Sequence, residues 1–143
     1  MSALHVVCPH CHSRNRLPAD RLKDRPRCGV CKQAVFTGHP VELDDQNFAA
    51  HIEGSDIPVV VDFWAAWCGP CRSLAPSYAS AAAVLEPGLQ LTKVNVDEAQ
   101  QTAGRYGIRS IPTLVVFRNG KEIARQAGAL PPQQLTAWLS QWR

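Results

Sequence analysis

The sequence has no long uninterrupted apolar run. Although 45% of its 143 residues are hydrophobic, the longest apolar stretch, Ile57 to Trp67, contains Pro58 and Asp62. A transmembrane helix needs about 20 consecutive apolar residues, so we predict no membrane-spanning segment. The chain also has no low-complexity tract and no repeat at the periods typical of solenoids. These absences favour an ordinary globular protein.

Two further patterns are missing. The N-terminus, MSALHVVCPHCHSR, has no basic segment followed by an apolar core, which is the pattern of a secretory signal. No G-x-G-x-x-G fingerprint of a dinucleotide-binding turn occurs. We therefore expect a cytoplasmic protein with no organic cofactor of its own. In that compartment its six cysteines should be metal-bound or redox-active rather than a disulfide framework.

Charge is distributed unevenly along the chain. Residues 1–39 contain seven Lys/Arg and two Asp, a net charge of +5, whereas residues 40–143 contain eight Lys/Arg and ten acidic residues, a net charge of −2. Four thiolates on one Zn²⁺ would lower the first value to about +3. This basic excess is too small to predict nucleic-acid binding.

The composition changes near Gly38-His39-Pro40, and we predict two domains, residues 1–38 and 39–143. Residues 1–36 have too few apolar side chains for a core that folds without a staple such as a metal. After the boundary, patterns typical of strands and helices alternate in the order β-α-β-α-β-α-β-β-α. This order predicts an α/β protein.

Local signals predict where the elements of the second domain begin and end. Asp44 is expected to cap the first helix, and an Asp97-x-x-Gln100 capping box the third. Pro76 should kink the second helix, and Asn119-Gly120 should form a tight hairpin turn. We expect strands at 41–43, 57–64, 89–96, 113–117 and 121–126, and helices at 44–52, 68–85, 97–106 and from 131 onward.

Two of the three C-x-x-C pairs have the spacing of a zinc site. Cys8-Pro9-His10-Cys11 and Cys28-Gly29-Val30-Cys31 are separated by sixteen residues, within the range of about 15–20 typical of two zinc knuckles. Gly29 is expected to allow the tight turn of the second knuckle. Metal binding would supply the folding energy that this segment lacks. We therefore predict one structural zinc ion, with the ligands Cys8, Cys11, Cys28 and Cys31.

Other interpretations of these cysteines are open. The C-P-H-C-H sequence at 8–12 also matches the pattern of haem attachment, which would leave the second knuckle unexplained. His10 or His12 could replace a thiol ligand. The four thiols could form disulfides, or release zinc on oxidation.

The third pair, Cys68-Gly69-Pro70-Cys71, lies where a buried strand is expected to lead into a helix. A thiol at a helix N-terminus faces unpaired N–H groups and the positive end of the helix dipole, which stabilise its thiolate. We therefore predict that Cys68 is the nucleophile. Cys71, one turn further and less exposed, would attack a mixed disulfide formed at Cys68. The alternative for an isolated pair is another metal knuckle.

The segment VDFWAAWCGPC, residues 61–71, resembles the active site of the thioredoxin family, and Ser110-Ile111-Pro112-Thr113 resembles a distant second element of that family. The similarity covers about residues 40–143. With the zinc-knuckle extension in front, the whole chain resembles the bacterial thioredoxin 2 group. The resemblance implies a thioredoxin fold, a central mixed β-sheet flanked by helices, behind a small zinc-ribbon-like module. Ala66 and Arg72 differ from the commonest residues of the family, without affecting its reactive groups.

The resemblance also implies roles for residues around the dithiol. From its context alone, Asp62 is either buried with a raised pKa or placed at a strand edge. The resemblance implies that Asp62 is buried and accepts the proton of Cys71, that Lys93 modulates Asp62, and that Pro112 follows a cis bond. The implied substrate-binding residues are Trp67, Gly69, Pro70, Ile111, Pro112 and Gly128. Trp64 is interpreted as core support, and His39 and His51 as surface or boundary residues.

Together these expectations predict a protein-disulfide reductase of the thioredoxin type, associated with oxidative stress. The resemblance implies that thioredoxin reductase, which uses NADPH, reduces it again, and that its other partners are disulfide-containing proteins. We expect a monomer that binds neither membranes nor nucleic acid. Two alternatives are a zinc-knuckle adaptor that binds a partner through the basic stretch Arg21–Arg27, and a redox sensor that releases zinc on oxidation.

Overall fold

The N-terminal part is a two-stranded antiparallel sheet with a small core. The computed structural model describes residues 2–143; Met1, the start of the predicted first domain, lies outside them. Strand β1 (Ala3–Val7) pairs with β2 (Arg14–Pro18), and a 3₁₀ turn (Ala19–Arg21) follows. The buried core of this part consists of Val6, Cys8, Cys28, Val35 and Ile57. Ile57 comes from beyond the predicted boundary, so the small core is completed by the second part.

The second part contains nine elements in the predicted order, in one mixed sheet. The strand order is β3-β5-β4-β6-β7; β3, β5 and β4 are parallel, and β6 and β7 are antiparallel to their neighbours. The predicted mixed sheet flanked by helices is confirmed. The elements are β3 (Val41–Leu43), α1 (Phe48–Gly54), β4 (Val59–Trp64), α2 (Gly69–Leu85), β5 (Gln90–Asn95), α3 (Gln100–Arg105), β6 (Thr113–Arg118), β7 (Lys121–Ala127) and α4 (Pro132–Ser140).

Helices cover both faces of this sheet. On one face, α2 and α4 pack against Val60 and Leu91. On the other, Phe48 of α1 packs with Val61 and Phe63. Strand β4 is thus buried on both faces, which explains its nearly continuous apolar sequence. Among residues 2–143, no helix is both long and apolar enough to cross a membrane.

The predicted hairpin and last helix are confirmed. Asn119 and Gly120, between β6 and β7, have φ values of 52° and 80°, as a primed two-residue turn requires. In α4, Leu135 and Leu139 are fully buried, while Trp138 packs against the same cluster from a half-buried position. The apolar spacing of this helix therefore marks its buried face.

The first predicted helix starts later than expected, and one predicted cap is wrong. Helix α1 begins at Phe48 rather than at residue 44. Asp44 caps the turn that leads into it, since its Oδ1 accepts hydrogen bonds from the N–H groups of Gln46 and Asn47. Helix α3 has no side-chain cap from its N-cap residue, so the capping box that begins at Asp97 does not form.

Helix α3 is capped from a distant part of the chain instead. Asp45 Oδ1 accepts hydrogen bonds from the Thr102 N–H at 2.8 Å and from its Oγ1 at 2.7 Å. These bonds satisfy a free N–H of the first helical turn. In α2, Pro76 lies inside the helix, and the kink expected there stays a prediction.

The two parts of the chain meet around the end of α1. The Val7 N–H donates to Ser55 Oγ at 3.1 Å, and the Asp56 N–H donates to the His5 carbonyl at 2.7 Å. Asp56 Oδ2 accepts from the His5 N–H at 2.6 Å. A Cβ at Gly54 would lie 2.7 Å from Val7 Cγ2. Glycine at position 54 therefore permits the close contact between the parts.

His51 lies at this boundary, but it is fully buried rather than at the surface. Its Nε2 lies 2.8 Å from His12 Nδ1, in the first knuckle. Burial, and then the nearby His12, lower the pKa of His51 to about 4, so its imidazole is neutral at pH 7. His39 is exposed, as expected.

Candidate redox and zinc sites

Cys68 and Cys71 form a disulfide at the start of α2, with their Cα atoms 5.2 Å apart. Cys68 is the N-cap residue of α2, and its sulfur accepts a hydrogen bond from the Cys71 N–H at 3.2 Å. Pro70 lies in the first turn, where an N–H would have no helical partner. The Cys68 sulfur is therefore placed where the helix N-terminus would stabilise a thiolate.

The two cysteines do not differ in exposure as the sequence predicted. Cys68 is 4% exposed and Cys71 is 3% exposed. The difference between them is their position relative to the helix, since Cys68 precedes α2 and Cys71 lies within its first turn. Gly69, between them, has no atom within 4 Å of a Cβ position, so the surface beside the disulfide is open.

The loop before β6 lies against Cys68. The Ile111 carbonyl oxygen is 3.7 Å from the Cys68 sulfur, and the Ile111–Pro112 peptide bond is cis. The Pro112 carbonyl accepts a hydrogen bond from the Gly128 N–H at 2.9 Å. Gly128 has a φ of 92°, a conformation that glycine adopts readily. Residues 111, 112 and 128 are thus brought together beside the disulfide.

Trp67 precedes the disulfide and is 67% exposed. Its Nε1 donates a hydrogen bond to Asp97 Oδ2 at 2.8 Å. Asp97 follows β5, and its side chain makes this contact instead of the predicted helix cap. The bond holds an exposed aromatic ring at the edge of the open surface.

Asp62 is a buried carboxyl group in β4. It is 1% exposed, and among the described residues neither of its oxygens has a hydrogen-bond partner. Burial raises the pKa of Asp62 to about 7, Lys93 lowers it, and Glu42 raises it further. Val60, two residues earlier on the same face, packs under α2. Asp62 therefore faces the helix that carries the cysteines.

Lys93 is in register with Asp62 across β5 and β4. Its Nζ lies 4.4 Å from the centroid of the Trp64 ring, a distance typical of cation–π contacts. Within residues 2–143, it makes no ion pair with a carboxylate within 4.0 Å. Trp64, interpreted as core support, therefore also holds the lysine that the resemblance assigns to Asp62.

The four N-terminal cysteines form a compact cluster. Their sulfurs all lie within 4.8 Å of one another. Cys8 Sγ is 3.6 Å from Cys31 Sγ, and Cys11 Sγ is 3.5 Å from Cys28 Sγ. Four thiolates at about 2.3 Å from a tetrahedral Zn²⁺ would be separated by about 3.8 Å. The cluster therefore fits zinc, and each of the four cysteines is free rather than disulfide-bonded.

The two knuckles repeat one hydrogen-bond pattern. The Cys8 sulfur accepts from the His10 N–H at 3.3 Å, and the Cys28 sulfur from the Val30 N–H at 3.4 Å. Each turn then closes with a hydrogen bond to the carbonyl of its first cysteine, from His12 and from Lys32, both at 3.0 Å. N–H donors aimed at sulfur favour the thiolate, the form that binds metal.

Gly29 does not supply the special conformation that the sequence predicted for the second knuckle. The positive φ values belong to His12 (64°) and Lys32 (66°), which follow the second cysteine of each pair. Gly29 instead donates its N–H to Asn15 Oδ1 at 2.9 Å. This contact connects the second knuckle to β2.

Comparisons with known proteins agree with this geometry. The pattern of the family described as "Thioredoxin" matches residues 39–141, and that described as "Thioredoxin 2, N-terminal" matches residues 7–33. Thioredoxin C-3 of Corynebacterium nephridii is 40% identical over 136 residues, which are 95% of this chain and 93% of the relative. Thioredoxin 2 of Chlorobaculum tepidum is 46% identical over 106 residues, 74% of this chain and 97% of the relative. A solved thioredoxin of Malassezia sympodialis matches with a TM-score of 0.65 and 37% identity, over 71% of this chain and 88% of that one.

Three contacts near these sites have no signal in the local sequence. They are the Trp67–Asp97 hydrogen bond, the His12–His51 contact and the pairing of Glu42 with Lys93 across strands β3 and β5. Each joins elements that are distant in the chain. In β3, Glu42 lies between two apolar residues. This period-2 pattern predicts only that Glu42 projects from the face opposite to theirs. It does not predict that Lys93 lies next to Glu42.

Proposed function

The chain belongs to the thioredoxin family and is a thiol–disulfide oxidoreductase, and we propose that Cys68 and Cys71 reduce disulfides in partner proteins and are reduced again by thioredoxin reductase. The observation that carries the proposal is the Cys68–Cys71 disulfide at the N-terminus of α2. Two cysteines that can form a disulfide with each other can release a substrate bound to one of them as a mixed disulfide. The helix N-terminus favours the attacking thiolate.

The exchange proceeds in two steps. The Cys68 thiolate attacks one sulfur of the substrate disulfide, forms a mixed disulfide and displaces one substrate thiolate. Cys71 then loses its proton to Asp62, attacks the Cys68 sulfur and displaces the second substrate thiolate. Two electrons pass to the substrate, and the Cys68–Cys71 disulfide remains. Thioredoxin reductase returns two electrons from NADPH, and Lys93 modulates the ionisation of Asp62.

The raised pKa of Asp62, about 7, suits a group that exchanges a proton near neutral pH. Asp62 has no hydrogen-bond partner among residues 2–143, so its carboxylate is free to accept. We assign the surface around the disulfide to substrate binding. It is formed by Trp67, Gly69, Pro70, Ile111, Pro112 and Gly128.

We further propose that residues 1–38 form a zinc-binding module and residues 39–143 the thioredoxin domain. Cys8, Cys11, Cys28 and Cys31 would hold one structural Zn²⁺, which fixes the two knuckles relative to each other.

The length of the Chlorobaculum tepidum relative, almost all of which is matched, supports a thioredoxin domain that folds without the module. We place the protein in the cytoplasm as a monomer.

The experiment is insulin reduction by the full chain with thioredoxin reductase and NADPH. Cys68→Ser should lower the rate by at least about 10³-fold, because the attacking thiolate is removed. Cys71→Ser should accumulate a mixed disulfide through Cys68, visible as a reducible adduct by mass spectrometry. A fully active Cys68→Ser protein would exclude this function.

A further inference from the structure

Three adjacent strands carry a row of charged side chains on the sheet face toward α2. Glu42 of β3 is in register with Lys93 of β5, which is in register with Asp62 of β4. Residues paired across neighbouring strands project from the same face of the sheet. Because Asp62 faces α2, Glu42 and Lys93 lie on that face too. The row thus extends from a buried acid to an exposed acid on the edge strand.

The lysine in the middle of this row, Lys93, forms no close ion pair with either carboxylate among residues 2–143. Lys93 Nζ lies over the Trp64 ring at 4.4 Å. No carboxylate of the described residues lies within 4.0 Å of it. The ring holds the ammonium group through its electron-rich face, and both acids are in register next to it. The single positive charge of Lys93 therefore lies next to two acidic groups, Asp62 and Glu42.

We propose that Glu42 is a positioning residue for the disulfide exchange, because it shares the positive charge of Lys93 with Asp62 and so controls how readily Asp62 ionises. This inference rests on the proposed role of Asp62 as the acceptor of the Cys71 proton. Glu42 does not touch the reacting sulfurs and acts only through Lys93 and Asp62.

The groups that surround Asp62 agree with this arrangement. Burial is the largest cause that raises the pKa of Asp62; Lys93 from β5 lowers it, and Glu42 from β3 raises it. Helix α2 contributes the Tyr78 phenol, which donates a hydrogen bond to the Thr92 carbonyl at 2.7 Å and whose pKa is raised by burial and then by the charge of Asp62. Strand β6 contributes Leu114, an apolar residue, directly opposite Asp62. Glu42 is thus the acidic side chain in register with the lysine that faces Asp62.

The sign of the effect follows from the charges. Glu42→Gln removes a negative charge near Asp62 and removes the attraction that draws the Lys93 ammonium group away from Asp62, and both changes favour the Asp62 carboxylate. Glu42 lies on the exposed edge strand, where water screens its charge, although partial burial of its carboxyl raises the pKa of Glu42. The expected fall in the Asp62 titration midpoint is therefore modest, about 0.5 pH unit.

The test is a carboxyl carbon NMR titration of Asp62 in the oxidised, zinc-loaded full chain. Glu42→Gln should lower the midpoint, whereas Glu53→Gln, an equal charge change on the exposed surface of α1, should leave it unchanged. An unchanged or raised midpoint in Glu42→Gln overturns the inference. In a Lys93→Met background, Glu42→Gln should shift the midpoint by less than half as much. An equal shift there would show that Lys93 is not shared.

The NMR titration distinguishes this inference from the proposed function, since it reads the ionisation of Asp62 without any catalytic step. The role of Asp62 is read separately, from the pH dependence of Cys71 attack on a mixed disulfide. If Asp62→Asn leaves that dependence unchanged, the proposed proton transfer fails. If Asp62→Asn changes it but Glu42→Gln does not move it to lower pH, the inference about Glu42 fails alone.

Discussion

The zinc knuckles and the redox pair use one motif in two different chain paths. In each knuckle the residue after the second cysteine has a positive φ, and the chain reverses. After Cys71 the chain continues for the rest of the 17-residue helix α2. Reversal brings two pairs of sulfurs within 4.8 Å of each other. The helix keeps the third pair apart, with a favourable dipole for its thiolate. The path of the chain after the second cysteine therefore decides the chemistry of each pair.

The two regions also differ in how they affect stability. The four-cysteine cluster places its sulfurs where a bound Zn²⁺ would add folding energy. The redox site instead buries Asp62 without a hydrogen-bond partner among residues 2–143, which opposes folding when the group is charged. Bound zinc would stabilise the first region, whereas a charged Asp62 destabilises the second.

The largest expected effect is the loss of zinc, which tests whether the two regions are independent. Cys28→Ser should reduce bound zinc from about one ion per chain to almost none, because three thiolates leave the tetrahedral site open. Structural zinc contributes on the order of 10 kcal/mol to small domains, so the N-terminal module should become sensitive to protease. Insulin reduction should persist at half or more of the wild-type rate.

Zinc content and limited proteolysis measure this effect. Cys71→Ser is the matched control, since it removes a thiol from the other region and should keep its zinc. Stoichiometric zinc in Cys28→Ser would contradict the four-cysteine site. Loss of insulin reduction together with zinc would contradict the independence of the two regions.

The next effect concerns the stability cost at the redox site. Folding raises the pKa of Asp62 from 3.8 to about 7, so between these values the folded state binds more protons than the unfolded state. Stability should therefore fall as the pH rises from about 4 to 7. A difference of about 3 pH units corresponds to about 4 kcal/mol. Asp62→Asn should be more stable than the wild type by up to that amount at pH 8, with little difference at pH 4.

Denaturant unfolding of the oxidised proteins at the two pH values measures this difference. Glu86, whose pKa burial also raises to about 7, is present in both proteins and cancels in the comparison. Equal stability of wild type and Asp62→Asn at pH 8 would contradict a charged, unpaired Asp62.

The sequence predicts the cysteine motifs in more detail than the contacts that surround them. The predicted zinc ligands follow from cysteine spacing, and the dithiol follows from its position between a buried strand and a helix together with the family resemblance. The order of strands and helices follows from local apolar periodicity. The surroundings depend on contacts between distant residues. The Asp45–Thr102 cap joins residues 57 positions apart, and the His12–His51 contact joins residues 39 apart. No local pattern encodes such pairs, and the sequence therefore predicts neither the Asp97 contact with Trp67 nor the full burial of His51.

The smallest expected effect tests the connection between the two regions. Ser55 is 1% exposed and its Oγ accepts the hydrogen bond of the buried Val7 N–H at 3.1 Å. Ser55→Ala leaves that N–H without its partner, which should cost about 1–2 kcal/mol. Ser77→Ala is the control, because among residues 2–143 Ser77 Oγ bonds only within its own helix, to the Leu74 carbonyl at 3.0 Å.

Calorimetry of the zinc-loaded chain measures the result. If both regions unfold as one unit, Ser55→Ala lowers the midpoint of a single transition, and Ser77→Ala changes it by less. A destabilisation no larger than that of Ser77→Ala would show that the Val7–Ser55 bond does not hold the module in place. Because this bond joins β1, which leads into the first knuckle, to the end of α1, its effect separates two cases. A shift in one shared transition would show that zinc binding stabilises the whole chain. A shift confined to the module would show that zinc stabilises only the first 38 residues.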